Sequence, residues 1–317
     1  HKEYRRQRQM CIRDSGIAGM RPSAGLVSRG GVFAGWPSIY GSLGPMARTV
    51  ADCAKLLDVM AGYDENDPIT AHGVGNQADS YADGLSTDGL KGKRIGILRT
   101  VMGYHTEPDS DDFKQVDALF NKSVEDMAAA GADIVDPIEI PDMLEYLSKR
   151  AWDTVGDEQS FRDYAAGSAN SPFASKEEAM ASPLYAQVTN GVTTRWAGSA
   201  TPEQYAAYQK ARGDFMTIFL NTMARLGLDA IVHKAVEHTP TLISDGTAPP
   251  FIDQKGAPHL NTFLIFVPSV VVPAGFTPGG LPAGITFLGR PYSDADMLNY
   301  AYAYEQATGH RRVPELG

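Results

Sequence analysis

KRIGILRTVMGYHTEPDSDDFKQVDALFNKSVEDMAAAGADIV, residues 93–135, decides the fold. It opens on KRIGILRT (93–100), a compact apolar run of strand character. A helical pattern follows from about Ser110 to Ala130, Gly131 ends it, and Asp133 to Val135 begin a second strand. Strand, helix and strand in this order predict a parallel pair joined by a right-handed crossover. Downstream, residues 142–226 read as mostly helical. Their last helix opens with Thr201-Pro202, carries Tyr205, Tyr208, Phe215, Ile218, Phe219, Met223 and Leu226 on one side, and stops at Gly227. LDAIVHK (228–234), SVVVPAGF (269–276) and AGITFLG (283–289) are short apolar runs rich in β-branched residues, the pattern of strands buried on both faces. A final helix starts at Ser293, has Asp296 at its third position and stops at Gly309.

Upstream, AGLVSRGGVF (24–33) reads as a short strand and turn. GPMARTVADCAKLLDVMAG (44–62) reads as a helix with Thr49 as N-cap, Asp52 three residues on, an apolar stripe of Val50, Cys53, Ala54, Leu57, Met60 and Ala61, and Gly62 as the stop. Residues 63–89 are rich in Asp, Gly and Asn and predict a surface excursion. Strands alternating with helices give an α/β class, a layered α/β/α arrangement around a mixed, largely parallel sheet.

At 317 residues and 43% hydrophobic content the chain can bury a full core, as one large domain or two smaller ones. No window approaches ~20 uninterrupted apolar residues, so no membrane span is expected. Of the two cysteines, Cys11 lies in the basic opening and Cys53 on the apolar side of a helix. That excludes a disulfide framework and points to a reducing, cytoplasmic setting. Lys2, Arg5, Arg6, Arg8 and Arg13 against Glu3 and Asp14 make residues 1–15 basic, whereas the whole chain carries −10. A nucleic-acid-binding surface is therefore not expected of the remainder.

Chemistry-bearing motifs are sparse. The chain has no G-x-S-x-G elbow, no GxxxxGK[ST] loop, no H-E-x-x-H and no C-x-x-C. His233 and His238, five apart, share neither a strand face nor a helix face, so ordinary surface or core histidines explain them better than a metal pair. Asp64, Glu65 and Asp67 lack EF-hand spacing and read as a solvated loop. Gly30 and Gly31 read as a turn rather than a phosphate loop, because no helix begins directly after them.

Three blocks carry a more specific signal: GMRPSAGLVSRGG (19–31), GPMARTVADCAKLLDVMAG (44–62) and SVVVPAGFTPGGLPAGITFLGRPYSDADMLNYAYAYEQATG (269–309), with LKGKRIGILR (90–99) agreeing in order and spacing. Together they resemble the post-catalytic half of the amidase signature family, from about Gly16 to the C-terminus. The resemblance implies hydrolysis or transfer of a small or peptidyl carboxamide through a Ser-cis-Ser-Lys triad and an acyl-enzyme, with no metal or organic cofactor. A serine hydroxyl needs an adjacent base to become a nucleophile, and a desolvated lysine can be that base. Two readings stand beside the hydrolase: the glutamine-hydrolysing component of a tRNA-dependent amidotransferase, and a non-catalytic binding or scaffold remnant. The stop at Arg311-Arg312-Val313-Pro314, soon after the last family helix, suits a stand-alone hydrolase better than an amidotransferase component.

The family's nucleophile lies in a D-T-G-G-S stretch, and counting back from Gly16 places that position near Gln7, inside RRQRQMCIRDS (5–15). That string resembles the translation of a transposon end used as a sequencing adaptor. The expected division is therefore a non-native segment 1–15 and, at 16–317, the C-terminal part of a single amidase domain. Neither D-T-G-G-S nor the family's G-G-S-S-G-G occurs in the chain, and Ser15, Ser23, Ser28 and Ser42 lack the nucleophile's context. No catalytic residue is assigned, and the chain is expected to be inactive as it stands. For substrate contact the resemblance points to the loop carrying Trp36 and Tyr40, and to Phe266, which stands where relatives usually have glycine. Gly41 holds a position at which many relatives carry aspartate. Oligomeric state is left open.

Overall fold

The computed structural model describes residues 16–31, 42–151, 154–167, 169–185, 200–247, 252 and 255–313. Its strands are β1 (Ala18–Arg21), β2 (Met46–Ala47), β3 (Arg94–Leu98), β4 (Asp133–Ile138), β5 (Ala230–Lys234), β6 (Ser269–Phe276) and β7 (Pro282–Leu288). They form one sheet in the order β2-β1-β6-β7-β5-β3-β4. The longer helices are α1 (Val50–Met60), α2 (Asp111–Ala129), α3 (Pro202–Leu226) and α4 (Asp294–Thr308), with shorter ones at Met143–Ser148, Thr154–Ala166, Lys176–Ala181 and Ile243–Thr247.

The expected strand-helix-strand unit is present: β3, α2 and β4 follow in that order, and β3 and β4 pair in parallel with Ile95 opposite Ile134. The sheet is mixed, but its parallel part is smaller than the apolar runs suggested. Only β4-β3-β5 is parallel; β5-β7, β7-β6, β6-β1 and β1-β2 are antiparallel. The cause is the connection between β6 and β7. Thr277 N–H donates to Leu281 O at 2.8 Å and Gly280 N–H to Thr277 O at 2.8 Å, closing a turn too short for any crossover. Full burial of β5 and β6 comes instead from helices on both sheet faces.

One face, with Ala18, Ile97, Val232, Val272 and Phe287, packs under α1, α2 and α4 through Leu57, Phe120 and Tyr304. The other, with Ile231 and Leu288, packs under α3 through Phe215, Phe219 and Met223. Each of the larger aliphatic and phenylalanine side chains among these contributes roughly 1.5–3 kcal/mol of burial. Both ends of α3 follow from its sequence. Thr201 Oγ1 accepts from Gln204 N–H while the Gln204 side chain accepts from Thr201 N–H, and Gly227 closes the helix at φ 64°. Thr49 likewise caps α1 by accepting from Asp52 N–H at 3.1 Å.

Two local expectations fail. Gly62 does not stop α1: Ala61 is already extended, bridging Val27, and Gly62 N–H donates to Leu26 O. Residues 24–31 form only that single bridge and a turn. The final helix does begin after Ser293 as its N-cap residue and end at Gly309, although the Ser293 hydroxyl bonds Arg290 rather than a helix N–H. The excursion at 63–89 is also less solvated than its composition suggests. It holds a 3-10 turn at Pro68–Gly73 and buries Asp67, Thr70 and Tyr81.

Candidate functional site

Part of the α3-side sheet face is lined by polar and small residues. His233, Thr286, Val271 and Gly19 lie side by side in register across β5, β7, β6 and β1. With Pro258, Leu260 and Asn261, three of them enclose a chamber of about 10 Å³, room for a single water. His233 is 4% exposed and its Nδ1 lies 2.6 Å from Lys234 O, so the ring is a core group, as the sequence suggested.

Beyond β1 the chain turns over the end of the sheet and clamps the segment before β6. The Arg21 guanidinium donates to the carbonyls of Leu264 and Ile265 at 3.1 Å and of Val267 at 3.3 Å, and Ala24 N–H donates to Ile265 O. Ser23 donates through its N–H and hydroxyl to the Asp294 carboxylate at 2.9 and 2.6 Å, and its oxygen accepts from Tyr292 N–H at 3.0 Å. The Tyr292 hydroxyl returns to Ala24 O at 3.1 Å. Asp294 is 2% exposed; burial pushes its carboxyl up, against the pull of Ser23 and the Arg21 charge.

This frame fixes Phe266. Leu264, Ile265 and Val267 are buried, but Phe266 is half-buried, its ring 5.5 Å from that of His72 and 6.5 Å from that of Tyr292. Trp36 and Tyr40, the other expected contacts, and Gly41 lie outside the described residues. Ser23, Asp294, His72 and Tyr292 carried no sequence signal of membership. Their partners sit up to 271 positions away, beyond any periodicity.

One further network lies next to this end, and another beyond the opposite, C-terminal end of β5. The Arg29 side chain binds both oxygens of Asp67, and Ser28 donates to Asp64 at 2.6 Å. The expectation of a solvated carboxylate loop is thus corrected at Asp67, which is 6% exposed. Burial raises its carboxyl, but Arg29's hydrogen bonds and charge outweigh this and hold it low. On the far side, Glu237 accepts from Met102 N–H, Gly103 N–H and the Thr106 hydroxyl, and His238 Nε2 accepts from Glu107 N–H. His238 is thereby a buried structural group.

None of the described serines in question is an activated nucleophile. Ser23 is 1% exposed and donates to a carboxylate, Ser28 donates to Asp64, and Ser42 donates to a backbone carbonyl. A nucleophile requires a basic partner within hydrogen-bond reach and access to substrate. Ser15 lies outside the described residues. Among the described residues no group of three or more metal-ligating side chains converges.

Residues 15–298 match the family model for amidases. The chain belongs to the amidase family. Within it, the chain is 28% identical over 309 residues to a probable amidase of Arabidopsis thaliana, covering 95% of this chain and 54% of that protein. It is 26% identical over 314 residues to the A-type subunit of the glutamyl-tRNA(Gln) amidotransferase from Brevibacillus brevis, covering 95% and 61%. The crystal structure of the native peptide amidase from Stenotrophomonas maltophilia superposes with a TM-score of 0.76 at 29% identity, covering 96% of this chain and 60% of the amidase. The chain thus spans somewhat over half the length of the amidases it matches. Among the described residues no helix is long and apolar enough to cross a membrane.

Proposed function

We propose that residues 16–317 form the pocket-wall part of a carboxamide hydrolase whose triad, Ser-cis-Ser-Lys, is supplied by sequence outside them, and that the 317-residue chain does not turn over amides alone. The observation that carries the reading is the family match across residues 15–298, joined to the absence of any D-T-G-G-S or G-G-S-S-G-G stretch. In the complete enzyme a serine attacks the carbonyl, an acyl-enzyme forms as ammonia or an amine leaves, and water resolves it. The substrate is a small or peptidyl carboxamide, with Phe266, Trp36 and Tyr40 as its contacts from this chain. The net charge of −10 argues against direct nucleic-acid contact, and the buried free thiol of Cys53 suits the cytoplasm.

A second reading, the glutamine-hydrolysing component of a tRNA-dependent amidotransferase, is favoured by the curated relatives, several of which carry the name of such a protein. One experiment addresses both. The purified chain is assayed for ammonia release from peptide amides and from glutamine, and no release is expected. A chimera joining the upstream part of the Stenotrophomonas maltophilia peptide amidase to residues 16–317 is then assayed in the same way. Release from peptide amides supports the hydrolase, and release from glutamine alone supports the amidotransferase reading. A folded chimera inactive on both favours a non-catalytic remnant and overturns the proposal, as does turnover by the purified chain.

A further inference from the structure

We propose that Phe266, His72 and Tyr292 form a preorganised subsite for an aromatic or bulky apolar side chain next to the carboxamide; this deepens the hydrolase reading and rests on it. Three features point there. The rings come from three separate segments and meet where the sheet ends, with Phe266 the outward-facing member of a stretch otherwise turned into the core. The segment carrying Phe266 is immobilised by three carbonyl contacts from one guanidinium, so its ring is presented from a fixed backbone.

The third feature is strain. Tyr292 sits at φ 62°, a left-handed conformation that an aromatic residue adopts only when its surroundings impose it. Its N–H and its hydroxyl are both tied to the Ser23–Ala24 stretch, and that stretch is anchored by a buried carboxylate. A strained backbone and a desolvated charge both oppose folding, and here both serve to hold one aromatic group beside Phe266. A core-packing role would need neither, since Phe266 could then be buried like its neighbours.

Rings offset at such distances attract a further ring edge-on or stacked, and burial of a phenyl group against them adds an area-dependent gain. Glycinamide-type ligands present no group to the cluster. The pocket wall therefore discriminates between amides by the side chain they carry.

The test is ligand binding to the intact chain, which requires no turnover. N-acetyl-phenylalaninamide, N-acetyl-glycinamide and N-acetyl-phenylalanine methyl ester are titrated and followed by NMR of ring-labelled phenylalanine. The phenylalaninamide is expected to bind at least about tenfold tighter than the glycinamide. Phe266→Ala should remove that ratio, and Phe266→Leu, which keeps the apolar volume, should keep part of it. Equal binding of the ester supports the subsite while counting against carboxamide recognition by this chain. Equal affinities for the two amides overturn the subsite and leave the hydrolase reading intact, and binding of none of the three overturns it as well.

Discussion

At the start of α2, Asp112 accepts a 2.7 Å hydrogen bond from His238 Nδ1, whose other ring nitrogen accepts from Glu107 N–H and so fixes the proton on Nδ1. Burial raises the Asp112 carboxyl, but hydrogen bonds from Ser110 and His238 and the nearby Lys255 charge overcome it and lower the group to about 2. An acid whose folded value lies below its unfolded one stabilises the fold above about pH 4 and loses that contribution as pH falls toward 2. Because its side chain is a third exposed, screening reduces the effect to about 1 kcal/mol. Asp112→Asn is expected to lower urea stability by about that amount at neutral pH, with the gap closing below pH 4. A gap that stays constant between pH 7 and pH 3 would refute the assignment. Residue-scale roles of this kind were scarcely readable from sequence. Asp294 lies in the first turn of α4, and its burial comes from the long-range pair with Ser23, which no local pattern signals.

Elements were read more faithfully where local chemistry alone sets them. The ends of α3 needed only Thr201, Pro202 and Gly227, each acting on its own turn of backbone. Strand direction is different, because pairing depends on what lies across the sheet. The apolar runs of β5 and β6 fit parallel and sandwiched antiparallel strands equally, and only the five residues from Thr277 to Leu281 distinguish them. Gly227 offers a clean measure of a local signal. At φ 64° a Cβ there would come within 4 Å of Arg94 Cδ alone, at 3.9 Å, so Gly227→Ala adds backbone strain without a clash. A loss of about 1 kcal/mol is expected by chemical denaturation, and Gly227→Asn should lose less, since asparagine tolerates the left-handed region. Equal losses for the two variants would show that something other than backbone conformation holds this helix end.

On the scale of the whole molecule, the sheet edge at β2 and the helix after it leave apolar surface in water. α1 packs on β1 and β2 through Val50, Cys53, Ala54 and Leu57, and turns Leu56 and Val59 outward, 44% and 84% exposed. Tyr63, just beyond the helix, is 62% exposed, and Met46 on the two-residue edge strand is 40% exposed. Scattered surface hydrophobics are ordinary, but an apolar strip beside a sheet edge that no described strand covers promotes association. The net charge of −10 opposes this through like-charge repulsion, which salt screens. The purified chain is therefore expected to self-associate with rising concentration in sedimentation velocity, more strongly at high salt. Replacing both exposed residues, Leu56→Glu with Val59→Lys, should shift the distribution toward monomer. Their exposure means that the melting temperature should change little, since surface substitutions usually stay within about 0.5 kcal/mol. A wild-type chain that sediments as a single monomer at all concentrations would contradict the argument. Association that survives the double substitution would move its origin to the other exposed apolar groups, such as Leu242 and Ile243, at 68% and 74% exposure.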